Sequence, residues 1–320
     1  MRSRVDGVLV VDKPAGPTSH DVVARVRRAL GQPRVGHTGT LDPGATGVLP
    51  LVLGRATRLA RFLSGGDKSY ESVIRLGFST DTGDADGRRT SDEWLGGSPS
   101  HADVERALDE FRGTFLQQPP AFSAKKIGGA RSHRMARRAA RTPGGVASLP
   151  APVQVTAQAL DVVNLEGDLL TLRVTCSAGF YVRALAQDLG DRLGTGAHLV
   201  GLRRTRSAEF ALAQAMPLES IERDPTIAEK AVIPPGELLS AMRAATLTRG
   251  GIDHVSHGRD LGPDDLVWGP TTAAAPEGSV GPVGGEEGQL VRLLDETGNL
   301  IAVAREGSAR GALHPFVVLM

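Results

Sequence analysis

The chain alternates continuous apolar runs with amphipathic stretches, and the period changes from segment to segment. Val8 to Val11 are apolar without interruption and precede the turn residues Lys13-Pro14-Ala15-Gly16-Pro17, which predicts a strand and a turn. Val22, Val23, Val26 and Leu30 then recur at helical spacing. Thr18 or Ser19 is placed to cap that helix and Gly31 to end it. Val48 to Leu53 is a second apolar run, readable as a short buried strand or a helix start. From Tyr70 to Phe78 the period falls to two, with Tyr70, Ser72, Ile74, Leu76 and Phe78 on one face of a strand.

The pattern continues through a loose Gly/Ser/acid linker at 91–101 to Val104, Ala107, Leu108 and Phe111, the apolar face of a helix ending at Gly113. Strands are predicted for Val153 to Val163 and Leu169 to Ser177, joined near Gly167, with Cys176 as a small core residue. Val182, Leu185, Leu189 and Leu193 set the buried face of a helix running from near Gly179 to Gly194. Beyond Pro217 come short helical pieces at Leu218 to Ile221 and Pro234 to Leu239, joined by a charged linker. Strands at Gln289 to Leu294 and Asn299 to Ala304, and a closing His314 to Met320, suggest a small β-rich unit. Residues 268–288 read as a Gly/Pro/Ala/Glu-rich insertion expected to be disordered.

At 320 residues the chain can hold one large domain and a small one. Lys+Arg 37 against Asp+Glu 36 gives a net charge of +1, so a nucleic-acid partner is not announced globally and any basic surface must be local. One such tract exists: Gln117 to Arg141 carries Lys125, Lys126, Arg131, Arg134, Arg137, Arg138 and Arg141 and no acid. It suits phosphate contacts and salt-dependent binding. The single Cys176 excludes an intrachain disulfide and a cysteine-based zinc site. With no signal peptide or long apolar run, a soluble, cytoplasmic protein without membrane contact is expected.

The candidate chemistry lies in GHTGTLDPGATGVLPL, Gly36 to Leu51, which holds one carboxylate, Asp42, and one imidazole, His37. Pro43 disfavours the helical region for Asp42. Taken alone, the segment is either a rigid loop presenting a nucleophilic or electrostatic carboxylate, or an Asp-Pro-Gly turn. After Tyr70, the acids Asp81, Asp84 and Asp86 lack the ligand number of a calcium loop and read as a solvated turn.

Gly36 to Arg58, GHTGTLDPGATGVLPLVLGRATR, resembles the catalytic motif of bacterial tRNA pseudouridine synthases of the TruB type, close to GHTGxLDPxATGxLxxxxGxATK. Arg58 stands where lysine is usual. Four further segments fit the same family. They are Asp12 to Ser19 (DKPxGxTS), Lys68-Ser69-Tyr70 followed by GxxTDTxDxxG, Gly179 to Gly190 (G-x-Y-V-R-x-L-x-x-D-L-G), and Leu199 to Phe210. The basic tract resembles PPxxSAxKxxGxxxYxxAR, with His133 at the usual tyrosine and Lys125-Lys126 for an apolar-Lys pair.

The resemblance implies an α+β pseudouridine synthase fold, with a central mixed, mainly antiparallel sheet flanked by helices and a small β-rich PUA-like C-terminal domain. The implied domains are 1–217, catalytic with its RNA-binding segment 117–141, a linker at 218–240, and 241–320. Asp42 becomes the essential carboxylate, Arg183 the arginine that pairs with it to keep it ionised and oriented, and Tyr70 the ring that stacks on the target base. His37 helps fill the space left by the flipped base, Leu202 packs under that base, and Lys13 with Pro14 supports the loop. Lys125 and Arg131 face the RNA. The implied reaction isomerises uridine to pseudouridine at position 55 in the tRNA T loop. It needs no cofactor or metal, because it is redox-neutral. The expected partner is tRNA, through its T arm and acceptor side, with a monomer and no obligate protein partner. A guide-RNA-dependent synthase resembling dyskerin, and a tRNA-folding protein without catalysis, are the rival readings. The compact core without basic tails disfavours the first, and the intact Asp42, Tyr70 and Arg183 the second. A carboxylate hydrolase would need a second acid opposite Asp42, and none is identifiable.

Overall fold

The computed structural model describes residues 5–268 and 290–320, apart from 124, 128, 133–134, 136–137, 139–148, 308 and 310. The expected disordered insertion lies outside the described residues, save for Trp268, which ends a strand. Contacts divide the chain into two units, residues 1–66 with 206–320, and residues 67–205.

In the first unit, β1 (Gly7–Lys13) buries Val8, Leu9, Val10 and Val11 without a break. The helix Ser19–Leu30 follows. Thr18 caps it with a reciprocal pair: the Asp21 amide donates to the Thr18 hydroxyl at 3.1 Å and the Thr18 amide to the Asp21 carboxylate at 2.8 Å. Val22, Val23, Val26 and Leu30 are buried, and Gly31 closes the helix at φ +61°. β2 (Val35–His37) and β3 (Thr46–Leu53) are antiparallel neighbours, and β3 also pairs antiparallel with β1, Val8 opposite Val52 and Lys13 opposite Gly47. The second apolar run is therefore a strand, buried on both faces and so without alternation.

The second unit opens with β4 (Lys68–Leu76). It ends before Phe78 because Gly77 turns the chain at φ +114°, and Phe78 instead stacks on His198 with centroids 4.5 Å apart. The helix His101–Leu108 gives way to a 3-10 turn at Asp109–Phe111, so Phe111 leaves the predicted helical face and meets Phe115. Then come β5 (Gly113–Gln117), β6 (Lys126–Ile127), β7 (Ala130–Arg131), β8 (Val153–Glu166) and β9 (Leu169–Cys176). The helix Val182–Leu193 and β10 (Ala197–Ser207) complete the unit. Its strands run in the order β10-β4-β9-β8-β5, with β4/β9, β9/β8 and β8/β5 antiparallel. The late helix begins at Val182 rather than at Gly179, whose φ of +90° is not helical. Within it Gly190 is required, since a Cβ there would stand 2.2 Å from the Ala197 amide nitrogen.

The chain returns to the first unit through β11 (Phe210–Ala211) and β12 (Met216–Pro217), the latter parallel to β1, which makes the strand arrangement mixed. Two helices follow, Leu218–Arg223 and Pro225–Lys230. The second replaces the expected charged linker, because Asp224 caps it through the Thr226 and Ile227 amides and Pro225 occupies the first turn. The piece expected at Pro234 to Leu239 is only a 3-10 turn, Pro235–Glu237. A five-stranded sheet closes the chain: β13 (Arg243–Leu247), the helix Arg249–Ser256, β14 (Leu266–Trp268), β15 (Val291–Leu294), β16 (Leu300–Glu306) and β17 (Leu313–Val318). Its order is β14-β13-β15-β16-β17. β16 serves two cores. Ala302 and Ala304 pack with Leu247, Val255 and Leu293, while Leu300 and Val303 join Val8, Val48, Phe62 and Leu319. No helix among the described residues is long and apolar enough to cross a membrane.

Candidate active site

Asp42 sits on the loop between β2 and β3, and three separate anchors fix that loop. The Ala45 amide donates to the Asp42 carbonyl at 3.1 Å, so Asp42-Pro43-Gly44-Ala45 is a hydrogen-bonded turn. Ser19, in the first turn of its helix, accepts from the Leu41 amide at 2.9 Å and donates to the Leu41 carbonyl at 3.0 Å. The Gly16 amide donates to the Pro43 carbonyl at 2.9 Å. Leu41 and Ala45 are buried on either side, while Asp42 stays half-buried.

Lys13, after Ser19 and Gly16, is the third anchor from outside the turn. Its side chain has no exposed surface, and its ammonium donates to the carbonyls of Pro14, Pro43 and Ala45 at 2.9, 3.0 and 2.7 Å. Three donors meet three acceptors, which is what a buried ammonium requires. Lys13 thus acts on the loop from beneath. His37, at the end of β2, meets His20 edge-to-face at 5.3 Å.

The second unit carries the other expected residues. Tyr70 lies opposite Val174 in β4 and is 9% exposed, on the inward face with Lys68 and Ser72. Arg183, second residue of its helix, is 7% exposed. Its guanidinium donates to the Thr82 carbonyl at 3.1 Å and the Phe122 carbonyl at 2.9 Å, and lies 3.8 Å from the Asp84 carboxylate. The fork therefore ties the loop after β4 to the start of the basic segment. The Asp84 carboxylate accepts from Thr82 Oγ1 at 2.6 Å, while Asp81 is taken by Arg88 at 3.2 Å. Asp81 and Asp84 of the expected turn are thus differently engaged, and Asp84 belongs to the surroundings of Arg183. Among the described residues no cluster of three or more His, Cys, Asp or Glu could hold a metal.

Gln117 positions the start of that helix. Buried at the end of β5, it accepts from the Tyr181 amide at 2.8 Å and donates to the Tyr181 carbonyl at 3.0 Å. Lys68 is a further residue that sequence reasoning passed over. Burial, followed by the Arg204 guanidinium, pushes its amine down to about 8. Its signal was its place in the Lys68-Ser69-Tyr70 segment, where the two-residue spacing from Tyr70 puts both on one face of β4.

Leu202 is half-buried on β10. Lys125 is half-buried too, its carbonyl accepting from the Ser132 amide at 2.8 Å. Arg131 lies in β7 opposite Lys126 of β6. The Arg131 side chain, His133, and most of the remaining basic tract lie outside the described residues. Lys13, His37 and Asp42 accordingly gather in the first unit, and Tyr70, Lys125, Arg131, Arg183 and Leu202 belong to the second.

Residues 27–182 match the TruB family pseudouridylate synthase (N terminal domain), and residues 183–240 the tRNA pseudouridylate synthase B C-terminal domain. The chain is 41% identical to tRNA pseudouridine synthase B of Solibacter usitatus, over 98% of this chain and 100% of that one. It is 48% identical to the protein of the same name from Gloeobacter violaceus, over 68% and 73% of the two chains. Among solved structures, a chain of the archaeal box H/ACA sRNP Nop10-Cbf5 complex superposes with a TM-score of 0.69 at 25% identity, covering 98% of this chain and 86% of that one.

Proposed function

The chain belongs to the TruB family of tRNA pseudouridine synthases, isomerases of uridine in tRNA, and we propose that it acts on the T-loop uridine with Asp42 as its essential carboxylate. The observation that carries this reading is the clamped turn: a partly exposed carboxylate on a loop whose backbone is held from below by Lys13 and from the side by Ser19. Such preorganisation is what a carboxylate reacting at a fixed sugar or base carbon needs.

The reaction breaks the bond between C1′ and N1, turns the base, and joins C1′ to C5. The proton lost from C5 is balanced by one gained at N1, so no cofactor or metal is called for. Asp42 acts on a nucleotide flipped out of the RNA stack. Arg183 comes from the motif whose arginine partners the carboxylate in this family, and it orients Asp42. Tyr70 holds the flipped base, Leu202 packs under it, and His37 occupies part of the vacated space. Lys125 and Arg131 contact the RNA backbone, and Lys13 supports the loop. The enzyme works alone, as a cytoplasmic monomer, with residues 1–217 catalytic, 218–240 a linker, and 241–320 a PUA-like domain meeting the acceptor side of the tRNA.

Pseudouridine mapping on an unmodified tRNA transcript, without added cofactor or guide RNA, tests this reading beside Asp42→Asn. Conversion of the T-loop uridine alone, lost in the variant while tRNA binding persists, is expected. Near-normal turnover by Asp42→Asn would overturn the assignment, and binding without conversion by the parent protein would favour a tRNA-folding role.

A further inference from the structure

Within the first unit, two arginines face the ring of Phe316 on the five-stranded sheet and a third bonds the same strand two residues further on. Phe316 of β17 meets Phe62 edge-to-face, with centroids 6.1 Å apart and planes at 81°. The Arg61 guanidinium carbon stands 4.6 Å from the centroid of each ring. Arg305 of β16 lies 5.5 Å from the Phe316 centroid. Arg58 donates from Nη1 to the Val318 carbonyl, two residues along β17 from Phe316. All three arginines are exposed, and none forms an ion pair among the described residues. His314, opposite Arg305 in the register, is itself engaged by Asp260 at 2.7 Å.

Three like charges held together repel one another, so an array without ion pairs among the described residues has to be fixed by other contacts. The ring faces and the Val318 carbonyl supply them here, and they leave guanidinium N–H donors turned to solvent. An array of this kind is prepared for an anion that accepts several hydrogen bonds, and phosphate is the best match. The enzyme's substrate is a polyanion while its net charge is only +1, so its affinity must come from a few local patches. We propose that Arg58, Arg61 and Arg305 form a phosphate-binding patch that grips the tRNA backbone away from the nucleotide being isomerised. The inference rests on the tRNA reading above.

The test compares two triple variants of the full chain, R58Q/R61Q/R305Q and R58K/R61K/R305K, in tRNA binding measured across a salt series. The glutamine variant should bind about tenfold more weakly at about 0.1 M salt, with a salt slope shallower by about 2, as the loss of two to three phosphate contacts requires. The lysine variant should keep the parental slope and most of the affinity. Unchanged binding by the glutamine variant would overturn the proposal and leave the patch to another, acidic, partner. Equal loss in both variants, with lowered melting temperatures, would overturn it in favour of a packing role. Conversion of tRNA by the parent, assayed in parallel, separates failure of the patch from failure of the functional reading.

Discussion

The ammonium of Lys13 and the carbonyl of Ala45, thirty-two positions apart in sequence, meet at 2.7 Å beneath the turn that presents Asp42. Replacing Lys13 by methionine keeps the volume and removes all three donors from the Pro14, Pro43 and Ala45 carbonyls. The expected cost is about 3 kcal/mol of stability, read by urea unfolding. Turnover should fall at least about tenfold while tRNA affinity changes little, because the loop loses its alignment rather than its surface. A variant with full turnover and lowered stability would reduce Lys13 to a purely structural residue.

Gln117 holds Tyr181 by both of its backbone groups, and Tyr181 is the residue before the helix that carries Arg183. Gln117→Leu should lose about 2 kcal/mol, since the leucine can neither accept from the Tyr181 amide nor donate to its carbonyl. Thermal unfolding of this variant should start several degrees lower; no shift would mean that water replaces the glutamine without loss.

Asp188, on the same helix, has its carboxyl pushed up to about 6 by burial, with the Asp191 charge adding to the rise. Its unfolded value is about 3.9. Between these two values the folded protein holds a proton that the unfolded chain releases, so stability falls as pH rises from about 4 to about 6 and stays reduced above. Because the group is partly solvated, about 1 kcal/mol of that penalty is expected at pH 7. Asp188→Asn should therefore be the more stable protein at pH 7 and should lose the downward slope between about pH 4 and about pH 6. A variant less stable than the parent at pH 7 would show an interaction that the carboxylate form needs.

Cys176 faces the core from β9, and burial pushes its thiol up to about 12. Native protein at about pH 8 should resist a disulfide-exchange reagent and react only when denaturant exposes the strand. Rapid stoichiometric labelling without denaturant would require β9 to open locally far more often than its place in the middle of the sheet suggests.

What could be read from the sequence was what is local. Gly31 and the pair Thr18-Ser19 mark the ends of their helix within one short stretch; the structure follows them and makes Thr18 the cap, with Asp21 as its partner. Strand β4 was legible because Tyr70, Ser72, Ile74 and Leu76 alternate, whereas β3 stayed ambiguous because both of its faces are buried. The helix Pro225–Lys230 was missed although its signal was present: Asp224 before Pro225 is a cap followed by a first-turn proline. Other features had no signature in the apolar pattern, and Lys13 was placed only through its motif. Gln117 and Lys13 are polar residues buried by pairing with backbone groups far away in sequence, and periodicity cannot see such partners. Asp84 looked like one of three equivalent turn acids until Arg183 was placed beside it.

Val8 on the first strand and Leu319 near the last residue belong to the same core, with Val303 between them in sequence. A ribosome makes that core's opening strand first and its closing strands last. The cluster that holds Val8 and Val10 must therefore wait for Leu300, Val303 and Leu319, through synthesis of everything between β1 and β16, before it is complete. The second unit draws on one continuous stretch, 67–205, and is free of that delay. In the growing chain the middle can mature before the beginning.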